Sequence, residues 1–406
     1  MITINFDIVQ TLGLAVLALF FGKWMTNVFP VLEEYSLPPA IVGGLTFALV
    51  NMFLRLTNLV TFNLDTSLST LFMVVYFTTI GFSASIQALS RAKGVVMKFL
   101  FIAILAIFIQ NILALVLGKF LDIPGPLALL LGSPALVGGP GTAAAVSPTI
   151  VNLGYDNATS VGIIAATLGI VLGSLSGGPI ASGIAKKYSL SAKDENASAN
   201  TSNRYHRHPQ HQRLTAERIA YMLYGTLLVI FVGTFVTEII NTVVGKLVGG
   251  ITFPVYIGPM IVAATARNIS DAKEHSILDD AALDVTSDIS LNLFLALTMV
   301  GLELWTIIDM ALPMLLIIVA ETVVTLAFAR YIVFYTMGKN YDSAVMTAGF
   351  IGFGMGSSSN AMACMRQITH EYGASPLAFL AVSIVGALFI DFINIFAIYG
   401  FIHLIA

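Results

Sequence analysis

Charge is what this chain of 406 residues has least of. Its 19 Lys and Arg and 22 Asp and Glu make up 10% of the positions and leave a net charge of -3. A soluble globular domain carries about 25% charged residues. So few charges cannot cover the surface of a water-soluble fold of this size. The same scarcity excludes a disordered chain, a nucleic-acid binder and a basic membrane-skimming surface. Cysteine is nearly absent as well: Cys364 stands alone, which excludes a disulfide framework and a cysteine-rich metal site. Residues 1–8 hold no Lys or Arg, so the start lacks the positive region of a cleaved signal peptide and is expected to remain as a helix. What fills the chain instead is apolar: 57% hydrophobic residues and a mean hydropathy of +0.90. An all-α polytopic membrane protein, solvated by the lipid bilayer, is the expectation.

The few charges are clustered. Ten of them fall between Lys186 and Arg218, together with His206, His208 and His211. That stretch is polar and of low complexity, so it reads as a solvated linker, and its histidines as part of the linker before a metal site. It divides the chain into a first half, 1–187, a linker, 188–215, and a second half, 216–406. A membrane helix needs roughly 20 apolar residues. Such runs occur at 8–28, 38–56, 67–87, 95–117 and 157–185, and again at 218–248, 254–269, 286–305, 310–337 and 375–404. Two apolar segments broken by Gly and Pro remain, 124–152 and 342–370, each before the last span of its half.

The basic residues orient the spans. With both termini outside and the broken segments not crossing, sixteen Lys and Arg fall inside and three, Arg55, Lys119 and Lys246, outside. Full crossings at both broken segments would flip the parity and largely abolish this bias. Both are therefore read as re-entrant hairpins, and the linker as cytoplasmic.

Five spans per half is an odd number, so homologous halves would be inverted copies. Ordered matches support this. Gln110 and Lys119 recur as Glu321 and Arg330 at an offset of 211, and Gly132 recurs as Gly349 at 217. Pro39 and Gly43 recur as Pro254 and Gly258 at 215, and Thr79-Ile80-Gly81 as Met299-Val300-Gly301 at 220. Inverted repeats with broken segments in matching positions point to a secondary transporter. The two hairpin tips are expected to meet near the midplane.

The first tip is Gly138-Gly139-Pro140-Gly141-Thr142. Thr142 is expected to cap the outgoing helix, whose free N–H groups would suit a carboxylate. The second tip is Gly352-Phe353-Gly354-Met355-Gly356, followed by Ser357, Ser358, Ser359 and Asn360. Ser359 or Asn360 is expected to cap there, with hydroxyls, an amide and freed carbonyls to ligate an amino acid or Na⁺. Candidate substrate residues are Gly139, Gly141, Thr142, Gly354, Gly356, Ser357, Ser358, Ser359 and Asn360. Asp391 and Asn394 lie three apart on one face of the last span, and Asn157 and Thr159 open the matching span of the first half. These four are the Na⁺ candidates. Holding a hairpin in place is the second reading of Asp391 and Asn394, behind the cation role. Gln110 and Asn111 lie in mid-span, where helix–helix hydrogen bonding competes with function. Arg366 reads as facing the cytoplasm.

These residues resemble the bacterial sodium/glutamate symporter family. The resemblance runs through Thr79-Ile80-Gly81, Gly138-Gly139, Gly141-Thr142, Asn157-Ala158-Thr159, Leu172-Gly173, Gly177-Gly178-Pro179 and Met337-Gly338-Lys339-Asn340-Tyr341-Asp342. It continues through Gly352-Phe353-Gly354, Gln367-Ile368-Thr369, Ala378-Phe379-Leu380 and Phe389-Ile390-Asp391 with Asn394. It implies a homodimeric carrier in the inner membrane that couples inward Na⁺ flow to glutamate uptake by an elevator motion, with no organic cofactor. The departures fall at the tips. Pro140 stands where the family usually has histidine, Ala143 where it has glycine, and Ser358-Ser359-Asn360 where it has Thr-Pro-Thr. Another small carboxylate, or H⁺ coupling, is the alternative reading.

Other classes fit less well. An Na⁺/H⁺ antiporter would use Asp391 but leave the two tips without a purpose. A channel does not need paired hairpins. An intramembrane enzyme needs a nucleophile and base within the spans, yet the histidines outside the linker, His275, His370 and His403, all sit near span ends.

Overall fold

The computed structural model describes residues 2–34, 37–87, 93–191, 214–248, 253–272, 278–356 and 358–405. Most of the linker, with its three histidines, and Ser357 lie outside the described residues.

Nearly every apolar run is a helix, because in hydrocarbon each backbone N–H and C=O must be satisfied within the chain. The first half contains α1 (Ile8–Val28), the short α2 (Pro30–Glu34), α3 (Pro39–Leu56), α4 (Leu68–Ser83) and α5 (Lys93–Phe120). The first broken segment follows as α6 (Gly125–Leu130), α7 (Ser133–Leu136) and α8 (Gly139–Val151), and α9 (Ala158–Tyr188) closes the half. The second half holds α10 (Ala216–Val248), α11 (Ile257–Asp271), α12 (Asp280–Val300) and α13 (Ala311–Phe328), which runs through a π turn into α14 (Phe334–Thr336). The second broken segment is α15 (Tyr341–Gly354) and α16 (Ser358–Tyr372). The last span is α17 (Pro376–Ile384), a π turn over Val385–Phe389, and α18 (Ile390–Ile405). Seven of the described helices are long and apolar enough to cross a membrane.

The expectation of an all-α chain needs one correction. Residues Ile2–Phe6 and Val60–Leu64 form β1 and β2, a two-stranded parallel sheet in which Asn63 Nδ2 donates to Asn5 Oδ1 at 3.2 Å. Both strands alternate apolar and polar residues, ITINF and VTFNL, which is the period of a strand. Helix starts are capped outside the apolar runs. Asp7 accepts from the Val9 and Gln10 amides at 2.9 and 2.8 Å while Gln10 accepts from the Asp7 amide at 3.0 Å, a reciprocal capping box.

The helices pack in two groups. One contains α1, α3, α4, α10, α11 and α12; the other gathers α5, α13 and the last span around α9 and the two broken segments. Packing between the groups runs mainly through α12 against α8 and α4 against the last span. At one end of the first group, Arg218 Nε donates to Asp279 at 2.5 Å, and Arg267 bridges Asp271 and Asp280. The hydrogen bond from Arg218 holds the Asp279 carboxyl below the usual carboxylate value.

Within this group two crossings are built alike. A side chain at Gly43 would overlap the Ala18 carbonyl of α1, and one at Gly22 the Pro39 carbonyl of α3. A side chain at Gly258 would likewise overlap the Gly233 carbonyl of α10. With no hydrophobic force between helices in lipid, such close backbone approach supplies the packing. Gly43→Val is expected to force α1 and α3 apart and destabilise the protein by about 1–3 kcal/mol. A lowered thermal unfolding midpoint of purified protein in detergent checks this.

Candidate functional site

Each broken segment is a helix pair that returns to where it began. Around the second, the Tyr341 hydroxyl donates to the Gly373 carbonyl and the Ser375 hydroxyl to the Asp342 carboxylate, so both ends are joined. Its entry is fixed by Asn340, which accepts from the Ser343 amide at 2.9 Å. In the first, Leu130 lies eight residues before Gly138 and Ser147 eight after Gly139. Both meet the same small residue of α9: a methyl group at Gly162 would stand 3.5 Å from Leu130 Cδ2 and 3.4 Å from Ser147 Oγ.

Helix α9 is the spine for both pairs. Along it, Gly162 receives the first pair, Gly177 faces Cys364 of the second, and Gly178 faces Gln367. Between them a side chain at Gly169 would meet Leu136 of the first pair at 2.8 Å and the Met355 carbonyl of the second at 2.9 Å. The tips therefore touch near the middle of a 31-residue helix. The contact itself is Gly139 against the Gly356 carbonyl. Gly139 also has φ +64°, the left-handed region that glycine alone enters without strain. Two independent constraints thus require glycine there.

Side-chain amides hold the tips. Asn360, fully buried, accepts from Ser174 Oγ of α9 at 2.6 Å and donates to the Gly352 carbonyl at 3.2 Å and the Ile170 carbonyl at 3.4 Å. Gln110 Nε2 of α5 donates to the Gly354 carbonyl at 2.9 Å and to Thr325 Oγ1 at 3.1 Å. Its neighbour Asn111 accepts from the Ser133 amide at 3.0 Å, where α6 gives way to α7. Asn394 Nδ2 of α18 donates to the carbonyl of the same Ser133 at 3.2 Å. One pair of adjacent residues on α5 thus reaches both broken segments.

Two capping expectations change. Helix α8 begins at Gly139, with no side-chain cap, so Thr142 lies inside its first turn and its side chain covers Gly138 instead. Asn360 lies within the first turn of α16 and spends its amide on α9 and Gly352 rather than on the helix start. The cause is the same in both cases: the tips are buried against a neighbour, and tertiary partners outcompete local ones.

The first tip faces the other helix group. A methyl group at Gly141 would stand 3.4 Å from Tyr76 of α4 and 3.4 Å from Leu291 of α12. Asp391 and Asp288 both lie within electrostatic reach of the Tyr76 hydroxyl. Half-buried Asp391 is the second residue after the π turn; π turns free backbone groups inside a helix. The structure therefore brings Gly139, Gly141, Thr142, Gly354, Gly356, Asn360, Asp391 and Asn394 into one region. Ser357 lies outside the described residues, and Ser358 and Ser359 open α16. Asn157 and Thr159 are elsewhere. Asn157 precedes the first residue of α9, about 18 Å along the axis from Gly169, and donates to Met310 Sδ at 3.4 Å.

Some residues of this region carried little signal in the sequence. Tyr76 and Leu291 look like ordinary span residues. Ser133 and Ser174 are single hydroxyls among many. Gln110 and Asn111 did carry a signal, two adjacent amides in an apolar run, but their partners 20 to 240 residues away did not. Gly139→Ala is expected to strain the φ of +64° and collide with Gly356, at a combined cost of about 2–4 kcal/mol. The unfolding midpoint should fall, whereas Gly154→Ala, at a positive φ in open space, should cost about 1 kcal/mol or so.

Comparison with known proteins gives consistent matches over this chain. The family model for the sodium/glutamate symporter matches residues 4–374. A sodium/glutamate symporter of Haemophilus influenzae is 32% identical over 391 residues, 96% of either chain. One from Escherichia coli is 33% identical over 393 residues, again 96% of either chain. Among solved structures, a sodium proton antiporter from Methanocaldococcus jannaschii aligns over 98% of both chains with a TM-score of 0.44 and 16% identity. With the tips, the spine and the whole-length match in agreement, the chain belongs to the sodium/glutamate symporter family.

Proposed function

We propose that the protein is a sodium-coupled symporter that imports L-glutamate across the bacterial inner membrane. The observation that carries this reading is the meeting of two helix-pair tips beside Asp391, in a chain that matches the sodium/glutamate symporters along nearly its whole length. The substrate carboxylates are bound at Gly139, Gly141 and Thr142 and at Gly354, Gly356, Ser357, Ser358, Ser359 and Asn360. There the start of α8 and the start of α16 turn N–H groups toward the tips. Na⁺ binds at Asp391 and Asn394, with Asn157 and Thr159 serving a more distant station at the start of α9.

The two broken segments are re-entrant, entering from opposite faces, within two inverted repeats, 1–187 and 216–406, joined by a cytoplasmic linker, 188–215. Contacts that map onto each other under one offset support this. Gln110 meets Thr325, and Glu321 meets Ala114; an offset of 211 exchanges the two pairs. Gly139 meets Gly356 at an offset of 217, the offset that also relates Gly132 to Gly349. The paired glycine crossings of α1 with α3 and α10 with α11 repeat the same correspondence. Repeats related in this way expose one site alternately to the two sides.

In the elevator motion proposed, the group around α9 slides against the group of α1, α3, α4, α10, α11 and α12, which dimerises. The sparse packing between the groups supports this. So does an open apolar groove that runs between α11 residues, Ile261, Ala264 and Asn268 among them, and Phe392, next to Asp391. With the termini outside, this groove opens inward.

Purified protein in liposomes is expected to accumulate labelled L-glutamate only when Na⁺ is higher outside. Equal accumulation with choline in place of Na⁺ would refute the coupling. Failure of glutamate, but not of another dicarboxylate, to compete for uptake would move the substrate, and Pro140 and Ala143 at the first tip mark where that difference would arise. Asp391→Asn is expected to raise the Na⁺ concentration for half-maximal uptake about 10-fold or more at unchanged yield. Loss of yield with unchanged Na⁺ dependence would make Asp391 a structural residue.

A further inference from the structure

Away from the tips, the interface of α5 and α13 holds a group that none of these roles uses. Glu321 is the eleventh residue of the 18-residue α13 and is fully buried. Among the described residues no side chain hydrogen-bonds either carboxylate oxygen, and the one backbone group turned to it is that of Ala114 on α5. The ion pairs found among the described residues, Arg218 with Asp279 and Arg267 with Asp271 and Asp280, lie elsewhere. A bare carboxylate at that depth is far too costly to persist, so its charge must be balanced by something bound.

The surroundings say what. Gln110, Asn111, Ser133, Asn394 and Glu321 are buried polar side chains with unpartnered atoms, and each lies on or is linked to the stretch of α5 from Gln110 to Ala114. Gln110 and Asn111 are on α5 itself, and Ser133 and Asn394 are tied to Asn111 through the Ser133 backbone. Glu321 lies beside Ala114, one turn on from Gln110, and Gly132 packs against the same Ala114 at 3.2 Å. The amide orientations are set by their existing bonds. Gln110 has spent its N–H on the Gly354 carbonyl and Asn394 has spent its N–H on the Ser133 carbonyl. Gln110 Oε1, Asn394 Oδ1 and both Glu321 oxygens are left as acceptors, with Ser133 Oγ and Asn111 Nδ2 as the unpartnered donors. Lone pairs exceed protons, and one negative charge sits among them. A single proton on Glu321 would satisfy one acceptor; a small cation satisfies several.

The geometry points to a Na⁺ seat on Glu321 and Gln110, completed by Ser133 Oγ, which draws its charge from a carboxylate other than that of the Asp391–Asn394 station. It rests on the sodium-coupled reading above and deepens it. Its position gives it a route to the substrate region. Gln110 would hold the ion through Oε1 and the Gly354 carbonyl of the second tip through Nε2. A cation on the amide oxygen polarises the amide and strengthens its N–H as a donor. Occupancy would therefore tighten the tip on which the substrate closes. The pseudo-symmetric counterpart makes the contrast plain: Gln110 faces Thr325 and bonds to it, whereas Glu321 faces Ala114, which offers no side-chain donor.

The test is a Na⁺ titration of the unfolding temperature of the full-length protein in detergent, without glutamate, with NaCl exchanged for choline chloride at constant ionic strength. The wild-type protein is expected to show a saturable rise. Glu321→Gln, the same size without the charge, is expected to need about 10-fold or more Na⁺ for half the effect. A Glu321→Gln titration that overlays the wild type overturns the proposal. A wild-type midpoint that follows pH and ignores Na⁺, with the pH response lost in Glu321→Gln, also overturns it and assigns the group to a proton. Should Glu321→Gln not fold, Glu321→Asp decides: it keeps the charge but draws it back by one methylene, and an unchanged Na⁺ half-saturation overturns the seat. A Na⁺-independent uptake of glutamate by the wild type refutes the coupling reading itself, whereas Na⁺-dependent uptake with a wild-type titration of Glu321→Gln removes this site alone.

Discussion

The constraint on which this molecule turns is that a backbone polar group released inside hydrocarbon must find a partner within the protein. An unbroken helix satisfies itself. Two helix pairs that stop and turn inside the protein do not, and each leaves carbonyls and amides to be met. The partners are side-chain amides. Gln110 takes the Gly354 carbonyl, Asn360 the Gly352 carbonyl, and Asn111 and Asn394 the two backbone groups of Ser133. An amide suits the task because it offers a donor and an acceptor without a charge to desolvate. Each of these amides commits one end to the backbone, and Gln110, Asn111 and Asn394 keep the other end unpartnered.

Small residues make those commitments possible. Along α9, Gly162, Gly169, Gly173, Gly177 and Gly178 each give room to a side chain or carbonyl of a broken segment. The helix is a groove as much as a rod. Among helices solvated by lipid tails, apolar burial favours no particular arrangement, so close backbone approach and shared hydrogen bonds decide which helix lies where. The two groups of helices differ in this respect. The group around α9 is stitched by amides and hydroxyls; α1 meets α3 at glycines, and α10 meets α11 at a glycine crossing flanked by hydrogen bonds of Thr237 and Asn241. Few contacts join one group to the other: some surround Gly141, Tyr76 and Leu291, and others lie where Tyr399 of the last span meets Tyr256 at 3.3 Å.

Much of the helix map was legible from the sequence, for a reason specific to membranes. The apolar runs that the bilayer demands are long, and the ends of α1, α3, α5 and α9 fall within a few residues of where hydropathy places them. The strands at Ile2–Phe6 and Val60–Leu64 were legible too, from their alternation, but short polar flanks draw little notice beside a 21-residue helix. Local rules failed at Thr142 and Asn360. Both are good capping residues by type, yet each lies buried at a contact with another element that claims its side chain. Matching positions in two halves need not be neighbours in space: α9 carries Asn157 toward the base of the first helix pair, whereas the tips lie at its middle.

By itself, then, the sequence determined that the chain lives in a bilayer, where its helices start and stop, and which two segments are broken. Those follow from hydropathy, capping and the backbone limits of Gly and Pro, all of which act over a few residues. Only the tertiary structure decided that Gly139 meets Gly356, that Gln110 holds the second tip, and that Glu321 finds no side-chain partner among the described residues. Hydrogen bonds act over about 3 Å, and positions as far as 261 residues apart come within that distance through the packing of whole helices alone.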